Sequence, residues 1–236
     1  MKTRHTRKTQ TKALCRCLQG KKQCHNPMLE GTLFCQLHQK CRGSPITGFE
    51  PRYDPGAYNK DKRVQDAHNC WDYGLNVIDD KQTHQCNGNS PRCSPLFHQP
   101  GGTQGLSETL ERKEGRTCAV VENLMRKDVP DLTPTTFQKR CSARKSKIAL
   151  VVHPGEDYHF YRQDADGWWS HKDGSNKVKR HDAEGRPIWN PKTAARDYRP
   201  KGSFLNYKHF CGFYCAPRRR TIKLARGGSR QRQRLH

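Results

Sequence analysis

Only 36 of the 236 residues are Leu, Ile, Val or Phe, and the chain carries a net charge of +23. A large-aliphatic fraction this low, combined with high charge, marks chains that cannot bury enough apolar surface to offset the entropy of ordering. Twelve Cys, four Trp and eight Tyr argue that this chain folds nonetheless, because metal ligation or disulfides supplement a small core. The first question is therefore what the cysteines do.

Several classes are excluded early. No run of 18 apolar residues exists, so no helix spans a membrane. Neither a Walker-type phosphate loop nor a dinucleotide-binding glycine motif is present. The opening MKTRHTRKTQTKAL lacks the apolar stretch of a secretory leader. The expectation is then an intracellular setting, where cysteines serve metals or catalysis.

The charge is concentrated at the ends. Residues 1–48 hold ten Lys/Arg against Glu30 alone, and residues 217–236 hold eight Lys/Arg and no acid. Such arms meet polyanions, and the Arg spacing of 217–236 suits phosphates. With no aromatic residue in that tail, binding to nucleic acid would be independent of base sequence. Residues 1–13 and 217–236 are read as basic arms.

Between the arms, 14–41 reads as a Cys/His module, 42–63 as a linker rich in Gly and Pro, and 64–216 as an α+β domain. In the module, Cys15, Cys24, Cys35 and His38 form C-x8-C-x10-C-x2-H, which supplies four corners for a structural Zn2+. Cys17 and Cys41 either substitute for one of these ligands or pair with each other. The segment has too few apolar residues to fold unaided, so coordination would stabilise it.

In the domain, a helix is expected from Asn69 to Ile78, capped by Asn69, and a second over 117–128, stopped by Pro130. Residues 79–116 read as polar loop. Strands are expected at 147–153, 157–163, 168–172 and 210–216. With a three-residue loop over 165–167, Tyr161 faces His171 and His159 faces Asp173. Cys211 and Cys215, four apart, would face one side of the last strand. Whether Cys86, Cys93, Cys118, Cys141, Cys211 and Cys215 are thiols or disulfides stays open.

Cys70 sits where a helix should begin, a position that favours a thiolate. NCWDYGLN followed by DYHFYR and DGWWSHK resembles the Cys-His-His arrangement of papain-like cell-wall amidases and peptidases. The resemblance covers roughly residues 64–175. It implies Cys70 as nucleophile, His159 as general base, His171 as the group that orients it, and a peptide or amide substrate. A longer pattern, GFEPRYDPGAYN through NYKHFCGFYCAP, resembles uncharacterised proteins of large DNA viruses of algae and protists and of some bacteria. That second likeness implies a virion or host-cytoplasm location. It also admits a different role, a minor capsid protein whose cysteines, zinc and arms contact neighbouring capsid proteins or nucleic acid.

Overall fold

The computed structural model describes residues 14–15, 18–19, 22–27, 35, 43–88, 90–218, 222 and 224–225. The chain divides into two compact units, residues 1–43 and 44–236. In the first, β1 (Leu18–Gln19) pairs antiparallel with β2 (Lys22–Gln23). Leu14 bridges Pro27, and the Cys15 N–H donates to the Asn26 carbonyl at 2.7 Å. This closure brings Cys15 and Cys24 to one end of the hairpin. His38, Cys17, Cys41 and the 1–13 arm lie outside the described residues.

The second unit is an α+β domain. Its helical part comes first: α1 (Gly56–Asn59), α2 (Lys62–Ala67), α3 (Cys70–Leu75), α4 (Asp80–Gln85), α5 (Ser90–Cys93) and α6 (Cys118–Asp128). The strands are β3 (Thr133–Thr135), β4 (Lys145–His153), β5 (Asp157–Gln163), β6 (Trp169–Lys172), β7 (Val178–Lys179) and β8 (His209–Pro217). They form one antiparallel sheet in the order β3-β8-β4-β5-β6-β7.

Both faces of this sheet are covered, which is why β4 reads as a continuous apolar run rather than an alternating one. Ile148, Leu150, Val152, Phe160 and Tyr214 face α3 and α6. Helix α6 meets them with Val121, Leu124 and Met125, one stripe at helical spacing. Ala149, Val151, Tyr161, Trp169 and Phe213 face the other way, under Ile188 and Tyr207 of the long 180–208 connection.

Three expectations need correction. The 42–63 linker is in part folded structure: Ser44 takes a hydrogen bond from the buried Lys147 ammonium at 2.6 Å, Thr47 Oγ1 donates to the Lys145 carbonyl at 2.7 Å, and α1 and the start of α2 follow. The supposed loop over 79–116 contains α4, α5 and several single 3-10 turns. These helices are too short to show an apolar stripe. Helices α2 and α4 start where Asp61 and Asp79 cap them. The tail is anchored at its start, since Pro217 ends β8, Arg218 Nη1 donates to the Gly74 carbonyl at 3.1 Å, and Ile222 and Leu224 pack on the core.

Three disulfides join Cys86 to Cys93, Cys118 to Cys211 and Cys141 to Cys215. Cys211 and Cys215 do not share a face. The β4–β8 register shifts between Leu150↔Gly212 and Val151↔Phe210, leaving Cys211 as an extra, unpaired residue. That bulge breaks the alternation. Cys211 therefore turns to Cys118 on α6, while Cys215, on the side of Phe213, reaches Cys141.

Candidate thiol and imidazole cleft

Cys70 is the first residue of α3. Asn69 Oδ1 accepts the Trp71 and Asp72 N–H groups, and Asp72 returns a carboxylate to the Asn69 N–H at 3.1 Å. This reciprocal cap fixes the helix start. No hydrogen bond occupies the Cys70 N–H among the described residues. The Asn69 amide also donates to the His98 carbonyl at 2.8 Å, and His98 Nδ1 lies 2.6 Å from Asp72. The helix ends at Asn76, in the left-handed region at φ 60°. It packs close on β5, where a methyl added at Gly74 would sit 3.4 Å from the Phe160 Cβ.

The histidine hairpin has the expected register, Tyr161↔His171. Pairing with β6 ends there, so the first residues of β5 have no partner on that side. His159 alternates with Tyr158 and Phe160, which pack with Cys70 on the helical face. Its ring rises from the opposite face. Cys70 and His159 nevertheless line the same cleft, of about 630 Å³, with Asn69, Asp157, Asp173 and Tyr207. No hydrogen bond links the Cys70 sulfur to His159. The buried ammonium of Lys172 ties the two halves together, donating to the carbonyls of Gln65 and His68 before α3 and to Gly174 beyond β6, at 2.5, 2.6 and 2.7 Å.

His159 Nε2 lies 2.8 Å from His171 Nδ1 and 3.1 Å from an Asp173 carboxylate oxygen. His171 Nδ1 is 3.0 Å from the same oxygen, and His171 Nε2 donates to the His181 carbonyl at 3.0 Å. The second Asp173 oxygen accepts from Lys179 at 2.5 Å. Burial lowers the His159 pKa to about 3, against the pull of Asp173, so the ring is neutral at pH 7. Burial works to raise the Asp173 pKa, but His171, His159 and Lys179 outweigh it and hold the carboxyl well below its usual range.

The expectation of a thiolate at Cys70 is overturned. The residue is 6% exposed. Burial raises the thiol pKa above its ordinary value of 9.0, and the carboxylates of Asp157, Asp173 and Asp72 add to this; a Phe160 backbone N–H pulls the other way and loses. A six-residue helix whose first turn already holds a carboxylate offers the sulfur little positive potential. The hairpin register places Asp173 opposite His159, but no motif in the sequence gives it a role. Tyr207, whose ring lies 5.4 Å from His159 and whose hydroxyl donates to Asp157 at 2.6 Å, had no sequence signal at all.

In the first unit, the sulfurs of Cys15, Cys24 and Cys35 all lie within 4.8 Å of one another, with Cys24 and Cys35 3.9 Å apart. Two thiolates on a tetrahedral zinc with 2.3 Å bonds would be separated by about 3.8 Å. The three thiols fit such an ion.

These features define the class: an α+β protein, tied by three disulfides among its described residues, with a buried thiol and a histidine–aspartate cluster on one cleft. Over 156 residues, 66% of this chain and 87% of the relative, it is 34% identical to insoluble matrix shell protein 1 of Ruditapes philippinarum. The chain belongs to the family of that protein. No protein-family model and no solved structure matches it.

Proposed function

We propose that this protein is a papain-like thiol hydrolase of amide bonds that works in an oxidising, extracellular setting. One observation carries the catalytic part: the Cys70 thiol and a neutral His159, with its Nε2 already held by His171 and Asp173, share one cleft. A thiol nucleophile needs a base that is itself oriented by a third group. With Nε2 engaged, Nδ1 is the ring atom that takes the proton. The resting pair is neutral thiol and neutral imidazole. As Sγ attacks the substrate carbonyl, His159 accepts the thiol proton and Asp173 stabilises the imidazolium. The Cys70 N–H is the available backbone donor for the oxyanion. His159 then protonates the leaving amine, and water, deprotonated by the same ring, releases the acid and restores the thiol.

The disulfides support that setting, because such bonds persist in oxidising compartments. A structural Zn2+ on Cys15, Cys24 and Cys35, with His38 as the fourth ligand, completes the reading. It would hold the small first unit together and take no part in the reaction. The basic arms serve as sequence-independent contacts for polyanions.

A second reading has its own support. The relative is an insoluble shell matrix protein, and a disulfide-tied basic domain suits a structural component of an extracellular matrix. It stands beside the capsid role as a structural alternative.

The test is alkylation with iodoacetamide, disulfides intact, each free thiol followed by mass spectrometry, alongside amine release from a mixed peptide pool. Hydrolase function predicts amine release that Cys70→Ala abolishes, and a drop of about 100-fold or more in both readouts on His159→Ala. Cys70 labelling indifferent to His159, with no amine released, leaves the matrix reading standing.

A further inference from the structure

We propose that His159, His171 and Asp173 form a binding site for a divalent first-row transition metal, and that occupancy switches the thiol chemistry off. Three ligating atoms, His159 Nε2, His171 Nδ1 and Asp173 Oδ1, make a triangle with sides of 2.8, 3.1 and 3.0 Å. Adjacent corners of an octahedron with bonds of about 2.1 Å are about 3.0 Å apart, and those of a tetrahedron about 3.4 Å. The triangle matches one octahedral face. Both imidazoles are buried, at 2% and 0% exposure, while Asp173 also lines the cleft, where further ligand positions would open.

The hydrogen-bond chemistry of the cluster points the same way. A carbonyl only accepts, so the contact to His181 O requires the proton of neutral His171 to sit on Nε2. Its Nδ1 is then a lone pair. His159 Nε2–H satisfies that lone pair, the Asp173 oxygen, or both by bifurcation. With a single proton on the His171 ring, the remaining contact, His171 Nδ1 to Asp173 Oδ1 at 3.0 Å, has no proton in it. A cation that takes the place of the Nε2 proton, which moves to Nδ1 of His159, would bond all three atoms. The His181 carbonyl behind His171 and the Lys179 ammonium behind Asp173 hold the ligands in direction. Lys179 also brings a like charge, so affinity should rise when it is neutralised.

The switch follows from the tautomer. A neutral imidazole has one lone pair. If Nε2 of His159 gives it to a metal, Nδ1 carries the proton and cannot accept another. Without metal, Nε2 carries the proton and Nδ1 is the base. This consequence rests on the hydrolase reading; the binding itself does not.

The experiment uses the full chain, with Zn2+ in equilibrium dialysis and Co2+ in absorption spectroscopy. A second equivalent is expected beyond any held by the N-terminal thiols, without thiolate-to-cobalt charge-transfer absorption. Asp173→Asn should weaken that equivalent at least tenfold and Lys179→Met should tighten it, while Cys70→Ala should leave it in place. His171→Gln is a second disruptive variant, scored only if its circular dichroism is unchanged. Zn2+ should slow Cys70 alkylation at least tenfold, with recovery on chelation. No second equivalent, or one indifferent to Asp173→Asn, overturns the site, and the cluster is then closed by a second proton on His171. A second equivalent that survives while Cys70 labelling is independent of His159 supports the site and sinks the hydrolase reading together with the switch that rests on it.

Discussion

Two of the disulfides close overlapping loops, and their removal has a calculable cost. Cys118–Cys211 and Cys141–Cys215 span 93 and 74 residues and both clamp β8. Opening Cys141–Cys215 alone would release a 74-residue loop worth ~4.4 kcal/mol of denatured-state entropy if no other crosslink existed. With Cys118–Cys211 intact, the ring actually opened runs through 118–141 and 211–215, roughly 27 residues, so the cost falls to ~3.5 kcal/mol. Losing both bonds costs ~8 kcal/mol, comparable to the whole stability of a typical domain. The assay is equilibrium unfolding in denaturant of Cys141→Ala/Cys215→Ala, of Cys118→Ala/Cys211→Ala and of the quadruple variant. Each pair should lower Tm by roughly 7–14 °C, and the quadruple variant should be largely unfolded. A strong reductant should reproduce its behaviour. Losses under ~1 kcal/mol per pair, or indifference to reductant, would show that these cysteines are thiols in the native protein, and the oxidising setting would fall with them.

Three further outcomes test the site and its scaffold. Asn69→Ala removes the cap of α3 and the buried bond to the His98 carbonyl, and should destabilise the protein by ~2 kcal/mol while raising the labelling rate of Cys70 through fraying; an unchanged melting curve would refute the role given to the cap. Cys70 alkylation should keep climbing with pH through the ordinary thiol value of 9.0, because burial raises its pKa; a plateau reached below pH 7 would reveal a resting thiolate–imidazolium pair instead. Burial lowers the Lys147 pKa to about 8 from 10.5, so between those values the unfolded chain binds more protons and stability should rise with pH, by up to ~3 kcal/mol. Lys147→Met should flatten that rise in denaturant titrations, and a rise that persists assigns it elsewhere.

The local signals in the chain were strong where a single element carried them. Asn69 announced the start of α3. Lys147–His153 announced a buried strand, and DADG the hairpin whose register sets His171 opposite Tyr161. The spacing of Cys15, Cys24 and Cys35 announced that these thiols would meet. The short helices α1, α2 and α4 were not legible, because four to six residues leave no periodic stripe; Asp61 and Asp79 mark the starts of α2 and α4, and α1 has no side-chain cap.

What the chain by itself determined is therefore its elements, the face each residue takes within an unbroken strand, and the residue types able to do thiol chemistry. Tertiary structure decided the rest. One bulged residue, Cys211, reversed the parity of β8 and so chose the partners of two disulfides. Buried ammonium and guanidinium groups, Lys172 on three carbonyls and Arg162 on Asp164, stand where the aliphatic count shows no core. The ionisation of Cys70 was set against its own helix by burial and by carboxylates as distant in sequence as Asp157 and Asp173. The reason is common to all three: solvent exclusion and charge are properties of what surrounds an atom, and those surroundings exist only once remote segments have packed.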